Sequence, residues 1–406
     1  FRYLGHEFGH KGVERPNLCN LTVWLDNIRK SPLKPDQKLS LIRLYVIPRL
    51  LYGLQNPKIT SKTLRAGDRL IRKTVKYICH LNVHTPDALI HASVRDGGLG
   101  VMELRKAVPR IFLGRLNTLL EKEDDRVLQA VLHSDRVRLL MATLSNMAGD
   151  VPESTFWRAR IASGDLSKGV QQASDDSSSR LWISDKPAGW SGRDYVRAVQ
   201  LRTGNLPTKA IPSVPVGERH CRNGCPVDES IAHVLQTCPL THGSRIRRHD
   251  EVVKKVARHC RTSGWTVEEE PHLRSPCGQL FKPDLAVHQP DGVVVIADVQ
   301  IAWDSEDLKI PYERKRAKYD VLPFHRAAKK LWPGKELLFA PIIVGARGIW
   351  PRINNDRSAV LKIPPVIRRN CVNSVLKWGS SIHAEFNRSV WAKRHNPRPA
   401  PENSAG

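Results

Sequence analysis

Two aspartates, Asp284 and Asp298, flank the turn signal Gln289-Pro290-Asp291-Gly292 at equal distances from Asp291. The runs between them, Leu285-Ala286-Val287 and Val293-Val294-Val295-Ile296-Ala297, are apolar and β-branched, so the stretch reads as a hairpin. A three-residue loop centred on Asp291 would set Asp284 opposite Asp298. Cross-strand partners lie about 4.5–5.5 Å apart at Cβ, where like charges repel. Two facing carboxylates are kept most cheaply by a divalent cation between them, which makes Mg²⁺ the expected ion and phosphodiester hydrolysis the expected chemistry. Such a reaction also needs a cation near the attacking water or the developing charge. Downstream, Pro311 opens a helical segment on which Tyr312, Lys315, Lys318 and Tyr319 share a face. Lys315 is the first candidate for that cation and Lys318 the second.

A second constellation is Cys221-x3-Cys225-x7-His233-x4-Cys238, three thiolates and one imidazole within eighteen residues. Structural zinc takes four such ligands in a tetrahedron, and Asn223-Gly224 supplies a turn inside the first pair. No position is left open for substrate, so the expected Zn²⁺ is structural. Just beyond it, Arg245, Arg247, Arg248 and His249 form a basic cluster suited to phosphate. The eight cysteines are spread through a basic chain without a secretory signal, which argues against a disulfide framework.

The chain has 406 residues with 65 Lys plus Arg against 40 Asp plus Glu, a formal net charge of +25. That excess points to a polyanionic partner. No apolar run reaches membrane-spanning length, so no membrane partner is expected. Phe1-Arg2-Tyr3-Leu4-Gly5 reads as the middle of a longer protein.

The supporting elements divide by periodicity. The first 150 residues read as helical. Pro35 to Ile47 carries Leu39, Ile42 and Val46 at helical spacing, with Pro48 ending or kinking it. From Lys62 to Ile78, Leu64, Ile71, Val75 and Ile78 make one face, and Lys62, Arg65, Arg69, Arg72 and Lys76 a basic stripe interrupted by Asp68 alone. A solvated surface is the ordinary fate of such a stripe; contact with a nucleic-acid backbone is the functional expectation. Thr85-Pro86 starts a further helix that Gly97-Gly98 stops, and Val108 to Leu120 and Arg126 to Leu132 continue the run. Ala173 to Ser179 reads as a flexible linker. Strand-like alternation is expected only after about Leu280, with a further strand at Leu337 to Val344.

Pro283-Asp284, thirteen residues and then Asp298 resemble the PD-(D/E)xK core of restriction-like nucleases. The lysine usual two residues after the second acid is Gln300 here, so Lys315 or Lys318 would have to supply it. The order of helical region, Cys-Cys-His-Cys knuckle and restriction-like core resembles the C-terminal part of the R-two type site-specific non-LTR retrotransposon reverse transcriptase/endonuclease. Matches include Pro32 to Lys38, Ile47-Pro48-Arg49, Arg95 to Gly100, Gly192 to Tyr195, Leu201-Arg202-Thr203, Thr241-His242-Gly243 and Lys282-Pro283-Asp284. The family's basic motif ends in His-Asn where this chain has His249-Asp250.

The resemblance implies a multidomain α plus α/β protein: residues 1–12 the end of a polymerase palm, 13–150 a helical thumb-like region, 151–215 a linker, 216–250 the knuckle and basic cluster, 251–385 an endonuclease with a central mixed sheet, and 386–406 a disordered basic tail. It also implies nicking of ribosomal DNA, whose freed 3′ end primes reverse transcription of element RNA. The expected partners are therefore target double-stranded DNA and that RNA, with a second copy of the chain on the target as a further candidate. The expected compartment is the nucleus, with the nucleolus as its candidate site. The polymerase's aromatic-x-Asp-Asp signature is missing: neither Asp124-Asp125 nor Asp175-Asp176 has an aromatic residue two positions before it. The rival expectations are a non-catalytic nucleic-acid-binding remnant and a restriction-like repair nuclease of other ancestry.

Overall fold

Helical periodicity governs the first unit, Phe1–Asp165, while mixed helix and sheet make the second, Leu166–Gly406, in a computed structural model that describes residues 1–3, 6–121, 126–164 and 167–395. Leu4, Gly5, Asp124, Asp125 and the stretch 396–406 lie outside the described residues.

The first unit opens with an antiparallel ladder, β1 (Arg2–Tyr3), β2 (His6–Gly9) and β3 (Gly12–Val13). Helices α1 (Cys19–Lys30), α2 (Pro35–Leu41) and α3 (Ile47–Leu54) follow. A π-helical turn, Ile42–Val46, joins α2 to α3, so Pro48 does not end the helix. The wider turn comes just before a residue that has no N–H to give, and the helical path continues through it. Helix α4 (Ser61–Ile78) is capped by Thr60, whose Oγ1 accepts the Thr63 N–H at 3.2 Å. Its expected apolar face is the buried one: Leu64, Ile71, Val75 and Ile78.

Buried Asp68 accepts the backbone N–H groups of Leu104 (2.7 Å) and Arg105 (3.0 Å). It thereby satisfies the free N-terminus of α6 (Leu104–Leu120) across the unit. Between them, α5 spans only Asp87–His91. The chain then makes a 3₁₀ turn, Val94–Asp96, closed by Gly97, so the helix stops well before the glycines expected to end it. Helices α7 (Arg126–Leu132), α8 (Asp135–Ala148) and α9 (Glu153–Ser163) complete the unit, which places α9 inside it rather than in a linker.

The second unit begins with the segment read as flexible. Ala173 to Ser179 is folded into 3₁₀ turns with Ala173, Ser178 and Ser179 buried. Its polar groups are used internally: Ser179 Oγ accepts the Trp350 N–H (2.8 Å), and Asp176 accepts from Asn355 (2.8 Å) and Arg368 (2.9 Å). Helices α10 (Leu181–Ser184) and α11 (Gly192–Arg202) follow, then α12 (Ile231–Gln236) and the long α13 (His242–Thr262).

Strands were expected only after about Leu280, yet β1–β3 already open the first unit, and in the second unit β4 (Thr266–Glu269), β5 (Leu273–Arg274) and β6 (Leu280–Phe281) come next. β5 and β6 pair apart from the main sheet. β7 (Leu285–His288) and β8 (Val293–Ala297) form the hairpin, and β7 also pairs antiparallel with β4. After β9 (Val299–Ala302), helices α14 (Lys309–Tyr319) and α15 (Leu322–Leu331) cross to β10 (Glu336–Phe339) and β11 (Ile342–Gly345). The expected single strand at Leu337 to Val344 is thus two. β10 runs parallel to β8 and β11 parallel to β9 in one constant register, interrupted only around Asp298, where Ile342 N donates to the Asp298 carbonyl at 3.0 Å. Ala286, Val294 and Ile296 pack with Tyr319, Phe324, Ala328 and Trp332 from the crossover helices. Helix α13 packs against β4, β7 and β9. After α16 (Arg352–Arg357), α17 (Pro365–His395) packs along α13, so residues 386–395, expected in a tail, are helix.

Candidate nuclease centre and metal site

The hairpin has the register its turn implied. Leu285 pairs with Ala297 and His288 with Val294, so Asp284 and Asp298 stand at matching positions just past the ladder. The loop is closed by Gln289 N–H to Val293 O (2.9 Å) and Gly292 N–H to Gln289 O (3.2 Å). Gly292 has φ +86°, the left-handed residue that a three-residue hairpin loop requires.

Asp298 has a nearly buried side chain, 4% exposed, ion-paired with Lys315 of α14. Its Oδ1 accepts the Tyr319 hydroxyl at 2.8 Å, and that hydroxyl also lies 2.9 Å from the Lys282 carbonyl. Burial, and after it the charges of Asp298 and Asp284, hold the Tyr319 phenol above its usual range. Tyr319 is therefore a neutral clamp on the second carboxylate. Lys318 is exposed and donates to the Tyr319 oxygen at 2.8 Å, one step further from the acids than Lys315.

Asp284 Oδ2 accepts the Val299 N–H at 2.6 Å, which ties the first acid to the residue after the second. It also accepts from His249 Nε2 at 3.1 Å. The same Nε2 lies 3.2 Å from the Val299 carbonyl, and Nδ1 lies 3.2 Å from Asp250 Oδ1. Burial disfavours the imidazolium, but bonds to Asp284 and then Asp250 outweigh it and push His249 up to about 9. His249 was expected to hold phosphate; here it is part of the carboxylate cluster. A cleft of about 910 Å³ opens beside it, lined by Arg245, His249, Gln300, Trp303, Arg314, Lys315 and Lys318 among others, with Glu306 its one acid. The Asp284 and Asp298 carboxylates and the Val299 carbonyl offer oxygens, the ligand type that suits a hard cation such as Mg²⁺.

The knuckle is assembled by local turns. Gly224 N–H donates to Cys221 O (2.9 Å) with Gly224 at φ +88°, and Ser230 Oγ caps α12 by accepting the His233 N–H at 3.0 Å. Cys238 N–H then returns to His233 O at 2.8 Å. The ligand atoms of Cys221, Cys225, His233 and Cys238 all lie within 4.8 Å of one another. His233 Nδ1 is 2.9 Å from Thr237 Oγ1, which leaves the buried Nε2 without a partner in the cluster. Burial, and then the crowd of neighbouring thiols, pushes Cys238 up to about 12. Bare thiols here resist ionisation, and a dication reverses that balance. The cluster could hold one zinc ion.

The basic residues divide sharply. Arg248 is buried and donates to Leu235 O (3.1 Å) and Gln236 Oε1 (3.0 Å), and Arg245 donates to the Gln236 and Cys238 carbonyls. Both sew the end of α12 to α13, against the expectation that Arg248 faces phosphate. Arg247 is exposed, 2.8 Å from Ser244 Oγ. In the first unit Lys62, Arg65 and Arg69 are exposed. Arg72 is taken by Asp87 (3.4 Å) and Lys76 by the Val83 and Thr85 carbonyls (2.8 and 3.1 Å), so among the described residues the expected stripe of five is three exposed cations and two tethers.

His249, Asp250 and Tyr319 were not legible as partners of the acids from the sequence. The only signal was Tyr319 sharing a helical face with Lys315; nothing local announces that α13 returns to the hairpin.

No family model matches the chain. Among curated proteins, a "Retrovirus-related Pol polyprotein from type-1 retrotransposable element R2" of Popillia japonica is 50% identical over 395 residues, 97% of this chain and 55% of that protein. Another from Popillia japonica is 45% identical over 388 residues, 95% of this chain and 86% of that protein. The Drosophila melanogaster Pol polyprotein from type-2 element R2DM is 29% identical over 359 residues, 86% of this chain and 34% of that protein. Likeness over nearly the whole chain places it among retrotransposon Pol polyproteins. Within that class it belongs to the R2 family. The chain spans 55% of the length of the first of these relatives, and none of its described helices is long and apolar enough to cross a membrane.

Proposed function

We propose that the second unit is a metal-dependent endonuclease of restriction-like fold that nicks double-stranded DNA for an R2 element. The observation that carries this reading is the pair of carboxylates at the hairpin end, one of them held by the Lys315 ammonium. Asp284, Asp298 and the Val299 carbonyl would hold Mg²⁺. When bound, that ion lowers the pKa of a coordinated water and offsets phosphate charge. Attack of water on phosphorus breaks the P–O3′ bond, leaving a 5′-phosphate on one fragment and a proton on the 3′ oxygen of the other. Lys315 faces the charge that develops at the phosphate, Tyr319 keeps Asp298 oriented, and Arg314 lines the cleft for the flanking backbone. The free 3′-hydroxyl is the end that reverse transcription of element RNA needs, and ribosomal DNA in the nucleus is the proposed target. Zinc is the proposed structural ion of the knuckle.

The test is nicking of a ribosomal DNA duplex in Mg²⁺. Asp284→Ala, Asp298→Ala and the gentler Asp298→Asn should each lose roughly 10²–10³-fold or more in rate, while duplex affinity stays near the parent value. Cleavage at the parent rate by these variants would overturn the assignment. Steeply salt-dependent binding with no metal-stimulated cleavage by the parent would instead identify a binding remnant.

A further inference from the structure

We propose that His249 is a displaceable stand-in for the cation at the nuclease centre. Its Nε2–H occupies the approach shared by the Asp284 carboxylate and the Val299 carbonyl and must swing away before a divalent ion can bind there. This rests on the nuclease reading given above.

The geometry is that of one donor between two acceptors. Nε2 lies 3.1 Å from Asp284 Oδ2 and 3.2 Å from the Val299 oxygen, and these are two of the three oxygens that would hold the metal. An N–H and a metal ion cannot both use the inward lone pairs of the same carboxylate oxygen and carbonyl. Without either of them, Asp284 would keep one bond from Val299 N–H and face the neighbouring carbonyl across a gap, oxygen to oxygen. The imidazole fills that gap.

The ring also has somewhere to go. His249 lines the wall of the cleft of about 910 Å³, and its side chain is 31% exposed. Its backbone is fixed in α13, which Arg248 and Arg245 fasten to the carbonyls ending the knuckle helix. Displacement is therefore a side-chain rotation and needs no movement of the helix. The rotated ring would enter a wall already lined by Arg245, Arg314 and Lys315, where a scissile phosphate brings negative charge. Metal entry and phosphate contact by His249 are thus two ends of one movement. A purely structural histidine would behave differently: its removal would loosen Asp284 and weaken the metal.

The experiment counts free Mn²⁺ by its electron paramagnetic resonance signal as the ion is titrated into the whole zinc-loaded chain without DNA. His249→Ala should bind Mn²⁺ about tenfold more tightly than the parent, the scale of one charge-assisted hydrogen bond no longer displaced. His249→Gln, which keeps a neutral donor and the side chain's bulk, should fall between the two. Nicking at saturating Mg²⁺ should drop in His249→Ala despite the tighter ion. Unchanged or weaker Mn²⁺ binding in both variants overturns the stand-in role. Asp284→Ala, titrated beside them, separates the two claims: lost binding there with unchanged His249 variants sinks only this inference, whereas unchanged binding in Asp284→Ala sinks the nuclease reading itself.

Discussion

Helices α4 and α13 carry similar rows of cations and use them in opposite ways. On α4, Lys62, Arg65 and Arg69 stay in solvent, while Lys76 is drawn onto the following loop and Arg72 onto Asp87 at the start of α5. On α13, Arg245 and Arg248 are spent on the carbonyls that end the knuckle helix, and His249 on a carboxylate. Helix ends and tight loops leave carbonyls without partners, and a basic side chain beside them is recruited before any phosphate arrives. Charge on a helix thus stays available to an outside partner only where the fold has no acceptors of its own to satisfy.

The largest effect that could break this comparison is in stability. Arg248 is 2% exposed, and burial lowers its pKa to about 10, so its charge is tolerated only because Leu235 O and Gln236 Oε1 accept from it. Arg248→Ala strands those acceptors and should cost roughly 3 kcal/mol in the unfolding of the second unit. Arg247→Ala, on the exposed side of the same helix, should cost well under about 1 kcal/mol. Equal costs in denaturant titrations of the two variants would mean that Arg248 is not a structural tether.

A similar contrast separates two histidines, and here pH supplies the lever. His249 is held charged by carboxylates, whereas His91 is 4% exposed, its ring stacked on Trp157 (5.2 Å between centroids), with Nδ1 2.8 Å from the Val101 carbonyl. Burial lowers His91 from 6.5 to about 4. The fold therefore favours its neutral form. Its contribution is complete above the unfolded value near 6.5 and is lost as pH falls from there towards 4, at most about 3 kcal/mol from the first unit. His91→Leu should flatten the difference in unfolding free energy between pH 7 and pH 4.5. A variant with the parent's full acid sensitivity would assign that slope to other groups.

How far the sequence carried these distinctions follows from the range of the interactions. The hairpin was legible because Pro290, Asp291 and Gly292 set the loop and strand alternation sets the register within fifteen residues. The knuckle was legible because its ligands, turn and Ser230 cap are all local. The apolar face of α4 announced itself by period. What failed were contacts across long separations: His249 with Asp284 over 35 residues, Asp176 with Arg368 over 192, and Ser179 with Trp350 over 171. Ala173 to Ser179 looked like a linker because serine and aspartate have no hydrophobic period, yet their partners return from distant chain to bury them. Gln300 was the one local departure that pointed outward, towards the cation that α14 brings to Asp298.

The smallest expected effect tests the free side of α4. Arg65 and Arg69 line a cavity of about 750 Å³ in the first unit together with Arg105, Arg160 and Phe156 and with the acids Asp68, Asp87 and Glu103. If Arg69 meets a phosphate, Arg69→Ala weakens binding to every sequence alike, by about tenfold or less, and lowers the slope of log affinity against log salt by about one. Arg65→Ala should do the same. Arg72→Ala should leave that slope unchanged, because its guanidinium already faces Asp87 and lies 3.4 Å from His91 Nε2. Its cost should appear in thermal stability instead. Affinity of single-stranded and duplex DNA measured at several salt concentrations distinguishes these outcomes. An Arg72→Ala slope as shallow as that of Arg69→Ala would show that phosphate can outbid a carboxylate already in place, and exposure would then be no guide to which cations on a basic helix bind nucleic acid.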